Sequence, residues 1–316
     1  MLSRRSMLSR SAIALGLGTM SGSAYASPAS SRKFTLDLRC GSIGVKADQR
    51  EAMALAAANG FESVNAEAGY LAKLGANERK EIAAQLKEKG LQWGAGGLPV
   101  GFRDDEATFR SGAQNLPKLA AAMQDVGVTR VGTYLMPCHG ALTYVENFRQ
   151  HARRLRECTK ILGDHGQRLG LEYVGPKTLW TSKRYPFVHC MAETKNLIDE
   201  IGEDNVGFVL DSWHWYTAGE SVRDLKSITN DDIVACDLND APRGRALDAQ
   251  IDNQRELPAA TGVIDLKAFL GALVELGYDG PVRAEPFNRV LNEMDNDKAV
   301  ATTANSMKKA FALIGG

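Results

Sequence analysis

Short apolar runs alternate with longer amphipathic stretches eight times between residues 35 and 285, and this rhythm constrains the fold more than any other feature. The apolar runs predict strands at 35–38, 63–65, 93–98, 130–135, 169–174, 207–210, 233–238 and 282–285. Helices are predicted between them, among others at 49–59, 77–89, 115–126, 145–165, 192–201 and 266–276. Several of these close on Gly followed by an apolar residue, as at Asn59-Gly60-Phe61, Lys89-Gly90-Leu91 and Leu276-Gly277-Tyr278, the expected C-terminal stop of a helix. Strands that alternate with helices argue for a parallel sheet, because each crossover helix must cover a sheet face. Eight such units point to α/β architecture closed as a single (β/α)8 TIM barrel. An open doubly wound sheet is the competitor, but it calls for a Gly-rich phosphate turn after an early strand, and none of the usual form is present.

In a barrel, function gathers at the carboxyl ends of the strands. The last four predicted strands all carry an acid there: Leu171-Glu172-Tyr173, Leu210-Asp211-Ser212, Cys236-Asp237-Leu238 and Ala284-Glu285-Pro286. A carboxylate in an apolar strand is costly to bury unless it is paired or bound to an ion. Any one of them could be a helix cap or a paired core acid. Four on one rim would repel one another without a cation. Glu172, Asp211, Asp237 and Glu285 are therefore the expected metal ligands, and oxygen donors favour a hard divalent ion. His214 lies three residues past Asp211 and is read as a substrate-binding donor, against the plainer reading of an imidazole packed between Trp213 and Trp215.

Residues 1–26 read as an address. Arg4-Arg5, the weakly apolar stretch 11–20 and the small-x-small run Ala24-Tyr25-Ala26 form a twin-arginine signal peptide pattern. The expectation is export to the periplasm, with a mature barrel domain over 27–316 and no stable membrane insertion, since the apolar stretch is shorter than the ~20 residues a span needs. That segment holds three arginines and no acid, so the remainder carries 35 basic against 38 acidic residues. No basic field remains to hold a nucleic acid. The five cysteines are widely spaced and form no C-x-x-C pair, which argues against a zinc knuckle or a disulfide framework and leaves one disulfide open.

The strand-end residues, together with the block running from Gly262-Val263-Ile264-Asp265 through Gly277-Tyr278-Asp279-Gly280-Pro281 to Glu285, resemble the xylose-isomerase-like sugar isomerases and epimerases. That family includes tagatose 3-epimerase, inosose dehydratase and, distantly, endonuclease IV. The resemblance runs from about Thr35 to Phe287. It implies a small-molecule carbohydrate substrate and one divalent cation, Mn2+ by preference with Mg2+ or Co2+ as alternatives, on Glu172, Asp211, Asp237 and Glu285. It further implies that Glu172 and Glu285 form the catalytic acid/base pair, abstracting a proton next to a carbonyl through an enediolate. Arg243, six residues past Asp237, falls where related epimerases place a substrate-contacting arginine; as a bare residue it reads equally as a solvated loop charge beside Arg245.

Two departures stand out. The family's strand-seven ligand is usually His and here is Asp237, which either strengthens a hard site or does not ligate. The usual proline-glycine turn before strand eight is replaced by residues 257–262. The same site could serve a dehydratase of a keto-polyol, and a non-catalytic exported sugar-binding protein is the alternative from another class. A phosphodiesterase is disfavoured, with only five histidines in the chain. Whether the chain forms a homo-oligomer is left open.

Overall fold

The computed structural model describes residues 32–315; the export signal expected over residues 1–26 lies outside them. Nine strand segments form one wholly parallel sheet. In chain order they are Thr35–Leu38, Ser63–Val64, Gln92–Trp93, Gly96–Gly97, Arg130–Tyr134, Arg168–Glu172, Val206–Asp211, Ile233–Leu238 and Pro281–Ala284. The first strand pairs with both the second and the last, so the two ends of the chain's sheet meet. The sheet's remaining edges are Gln92–Trp93, paired with Ser63–Val64, and Gly96–Gly97, paired with Arg130–Tyr134. Only residues 94 and 95 separate them. They are two halves of the third barrel strand, and the ring of eight closes through that break.

A tight approach lies at the interruption. A Cβ at Gly94 would collide with the buried carboxylate of Asp37, so only glycine fits where the third strand passes the first. The expected strands otherwise agree with the observed ones to within one or two residues at their ends.

The helices start where side chains can take up orphan backbone N–H groups. Asp48 accepts from the N–H groups of Arg50 and Glu51 and forms a capping box with Glu51 at the head of Gln49–Ala58. Thr143 and Glu146 do the same for Tyr144–Asp164. The helix expected over 115–126 is Glu106–Asp125. Its true cap is Asp105, which accepts from Thr108 N–H; Pro117 sits inside it, where a proline ordinarily breaks a helix, and its first turns are too polar to reveal an apolar stripe. No helix among the described residues is long and apolar enough to cross a membrane. All five cysteines are free, with Cys138, Cys158 and Cys236 buried.

Outside the barrel mouth, Glu220 ties strand five to the next helix: it accepts from Tyr173 Oη at 2.5 Å and from Met191 N–H at 2.6 Å. Burial pushes its carboxyl up to about 7, partly opposed by the Tyr173 hydrogen bond. The folded protein therefore binds a proton that the unfolded chain has already released, and this group's contribution to stability falls as pH rises from about 4.5 to 7. The loss is at most about 3 kcal/mol. In urea titrations at pH 5 and pH 8, Glu220→Gln should flatten the pH dependence; an unchanged slope would remove Glu220 as its source.

Candidate metal and substrate site

The carboxyl ends of strands five to eight converge as expected. Glu172 and Asp211 are the last residues of their strands, Asp237 is the penultimate residue of strand seven, and Glu285 follows strand eight directly. All four are buried. Ligand atoms of Glu172, Asp211 and His214 lie within 4.8 Å of one another, and so do those of Glu172, Asp237 and Glu285. The rim opens on a cavity of about 670 Å3 lined by Glu172, His214 and Glu285 among others.

Three arginines that the sequence reading did not single out hold this ring together. Arg255, wholly buried, donates to Asp211 Oδ2 and Asp252 Oδ1, each at 2.8 Å, with Glu285 Oε2 at 3.6 Å. Its guanidinium lies 4.7 Å from the centre of the Phe287 ring. Phe287 adopts φ 41°, a left-handed conformation that aromatic residues rarely take and that places strain at the cavity wall. Arg39 donates to Glu285 Oε1 at 2.9 Å. Arg283 grips Asp237 in two-pronged fashion, Nε to Oδ1 at 2.5 Å and Nη2 to Oδ2 at 3.0 Å.

Both oxygens of Asp237 thus accept from Arg283, while its charge still bears on Glu172 and Glu285. Asn239, one pleat further along strand seven, bridges the ring: its Nδ2 donates to Asp211 at 3.0 Å and its Oδ1 accepts from Glu285 N–H at 3.0 Å. Asp240 is spent on structure, accepting backbone N–H groups of Ala241, Thr261, Gly262 and Ile264. Arg243 donates to the carbonyl of Thr261 and does not line the cavity, which Arg255 does. His214 is buried; its Nδ1 accepts from Gly175 N–H at 3.3 Å, and Nε2 lies 3.8 Å from Glu172 and 3.7 Å from Asp211. Burial, then the nearby Arg255 charge, lowers its pKa far below the usual value, and Arg255 Nη2 lies 3.2 Å from Nε2.

The electrostatics fit a divalent cation. Glu172, Asp211, Asp237, Asp252 and Glu285 face Arg39, Arg255 and Arg283, five carboxylates against three guanidiniums. Glu172 Oε1 is buried and receives no hydrogen bond. Burial pushes the Glu172 carboxyl well above its ordinary range, with Glu285, Asp237 and Asp211 adding to the rise. Asp211 is pushed up to about 7 by burial against the pull of Arg255, and Glu285 is raised by burial and by Asp237. A bound ion would relieve this repulsion; the ligand atoms brought within reach of one another are those of Glu172, Asp211 and His214, and those of Glu172, Asp237 and Glu285.

An eight-stranded α/β barrel with a cluster of buried carboxylates at the carboxyl ends of its strands defines the class of protein. The chain belongs to the xylose isomerase-like TIM barrel family, whose profile matches residues 53–310. It is similar to an inosose isomerase of Bacillus velezensis, 24% identical over 198 residues that cover 63% of this chain and 68% of that protein. Among solved structures, a xylose isomerase domain protein of Alicyclobacillus acidocaldarius is 31% identical, with a TM-score of 0.78 over 90% of this chain and 100% of that one. IolI with a bound zinc atom has a TM-score of 0.73 at 20% identity, covering 88% of this chain and 98% of its own. At that identity the likeness is one of fold.

Proposed function

We propose that the protein is a divalent-metal-dependent sugar isomerase or epimerase that moves a proton at the carbon next to a carbonyl. The observation that carries this reading is the juxtaposition of Glu172 and Glu285, two buried carboxyls that offer atoms within 4.8 Å and line one cavity. Family membership and the inosose isomerase relative support a carbohydrate substrate, and the zinc of IolI supports a metal at the barrel mouth. Held by Glu172, Asp211, Asp237 and Glu285, a divalent ion would act as a Lewis acid toward the substrate carbonyl.

The chain's own residues supply the rest. One glutamate, ionised, removes the C–H proton; the other, protonated, returns a proton to the enediolate. Both roles rest on the placement of the two carboxyls at one cavity, since a bound ion would lower the basicity that burial alone raises. His214, whose Nε2 lies 3.2 Å from Arg255 Nη2, lines the same cavity and can contact a substrate oxygen there.

The test is solvent exchange. Protein loaded with Mn2+ or Mg2+ should incorporate deuterium from D2O into a keto sugar or inosose at the carbon beside the carbonyl, and chelation should abolish it. Product analysis then separates epimerisation from dehydration. Tight metal binding with no exchange into any keto sugar would sink the proton-transfer reading.

A further inference from the structure

The cavity holds one arginine that the proton-transfer chemistry does not use. Four arginines line it: Arg39, Arg103, Arg255 and Arg283. Arg39, Arg255 and Arg283 are ion-paired with Glu285, Asp211 and Asp237 respectively. Arg103 makes no ion pair among the described residues.

Arg103 is nonetheless built into place. Its Nη1 donates to the Tyr134 carbonyl at 2.5 Å and to Thr133 Oγ1 at 3.3 Å. Its guanidinium lies 3.9 Å from the centre of the Tyr134 ring and 4.5 Å from that of Phe102. Both Nε and Nη2 are left without a partner among the described residues. Tyr134 is the register partner of Glu172 on the neighbouring strand, and Leu135 N–H donates to the Glu172 carbonyl, so Arg103 is anchored to the strand end beside the proposed base. Burial is the chief reason its pKa falls below the usual arginine value. A half-buried guanidinium with a fixed plane and an unused donor edge is a receptor awaiting an anion.

We propose that Arg103 receives a carboxylate on the substrate, so that the chain acts on a keto sugar acid rather than on a neutral sugar. The unused Nε and Nη2 form the two-donor edge that matches a planar carboxylate. A phosphate dianion would call for further cations, and no lysine lines the cavity, whereas Glu67, Glu172, Asp252 and Glu285 do. The volume of about 670 Å3 accommodates a six-carbon acid with room for water. This inference rests on the cavity being the substrate site proposed above.

The experiment compares three probes that differ only at C6: D-fructose, D-fructuronate and D-fructose 6-phosphate. Each is titrated calorimetrically into the full Mn2+-loaded protein. D-fructuronate is expected to bind at least about tenfold more tightly than D-fructose, the ratio for one charge-assisted pair. Arg103→Gln should erase that ratio and Arg103→Lys should restore part of it, with the folding of both variants checked by thermal melting. Failure of D-fructuronate to out-bind D-fructose overturns the proposal, as does a preference that survives in Arg103→Gln. An Arg103-dependent preference for D-fructose 6-phosphate over D-fructuronate overturns it in favour of a phosphate handle. Binding is read without turnover, so a failed deuterium exchange and a failed carboxylate preference are separate results.

Discussion

Glu172→Gln and Glu285→Gln should each lower metal-dependent deuterium exchange by about 100-fold to 10,000-fold, the range for removing one positioned proton-transfer group. The two losses should not add in the double variant, because the pair acts as a unit and either loss alone stops the transfer. Glutamine keeps nearly the volume of glutamate, so packing survives and the effect falls on charge and basicity. Metal affinity will fall as well, since both residues are proposed ligands. Exchange is therefore measured at saturating Mn2+, with occupancy read by metal analysis of the same samples. An occupied Glu285→Gln protein that exchanges at the unsubstituted rate would assign the acid/base work elsewhere, with His214 the next group to replace.

How much of this site could be read in the sequence followed from periodicity. Glu172, Asp211 and Glu285 stand out because an acid closing an apolar strand conflicts with its surroundings, and barrel topology brings such positions together. The need for glycine at 94 was not legible, because it depends on Asp37 of another strand filling the space beside it. Asp237 carries a second signal besides that of a ligand. Arg283 is just as misplaced in strand eight, and the two residues are register partners on adjacent strands. Two opposite charges at matching depths predict a pair as naturally as a ligand, and the structure places them in contact. Arg255 and Arg103 were beyond reach for another reason. Both sit in irregular loops that no repeat positions, and their distance in sequence from the strand ends carries no information about where they fold back. Arg243 held the expected spacing, but its side chain turns to the Thr261 carbonyl.

Replacing Arg255 should produce the largest stability change, and one that the metal partly reverses. In Arg255→Met the apolar stem is kept and the charge is lost, leaving Asp211, fully buried, and Glu285 without their shared cation. Removing one member of a buried ion pair costs about 3–5 kcal/mol, because the remaining charge is stranded away from water. The metal-free variant should therefore melt well below the unsubstituted protein. Saturating Mn2+ should raise the variant's melting temperature by more than it raises that of the unsubstituted protein, since an ion bound only by the folded state replaces the missing positive charge. Adding Asp252→Asn should recover part of the metal-free loss by removing one stranded acid, whose distance to Arg255 is 2.8 Å. Equal metal-induced shifts in the two proteins would mean that the guanidinium and the ion do not compensate the same carboxylates. Arg255 would then be a packing element of the loop that carries it, and the charge balance at the barrel mouth would have to be met by Arg39 and by protons on Glu172 and Asp211.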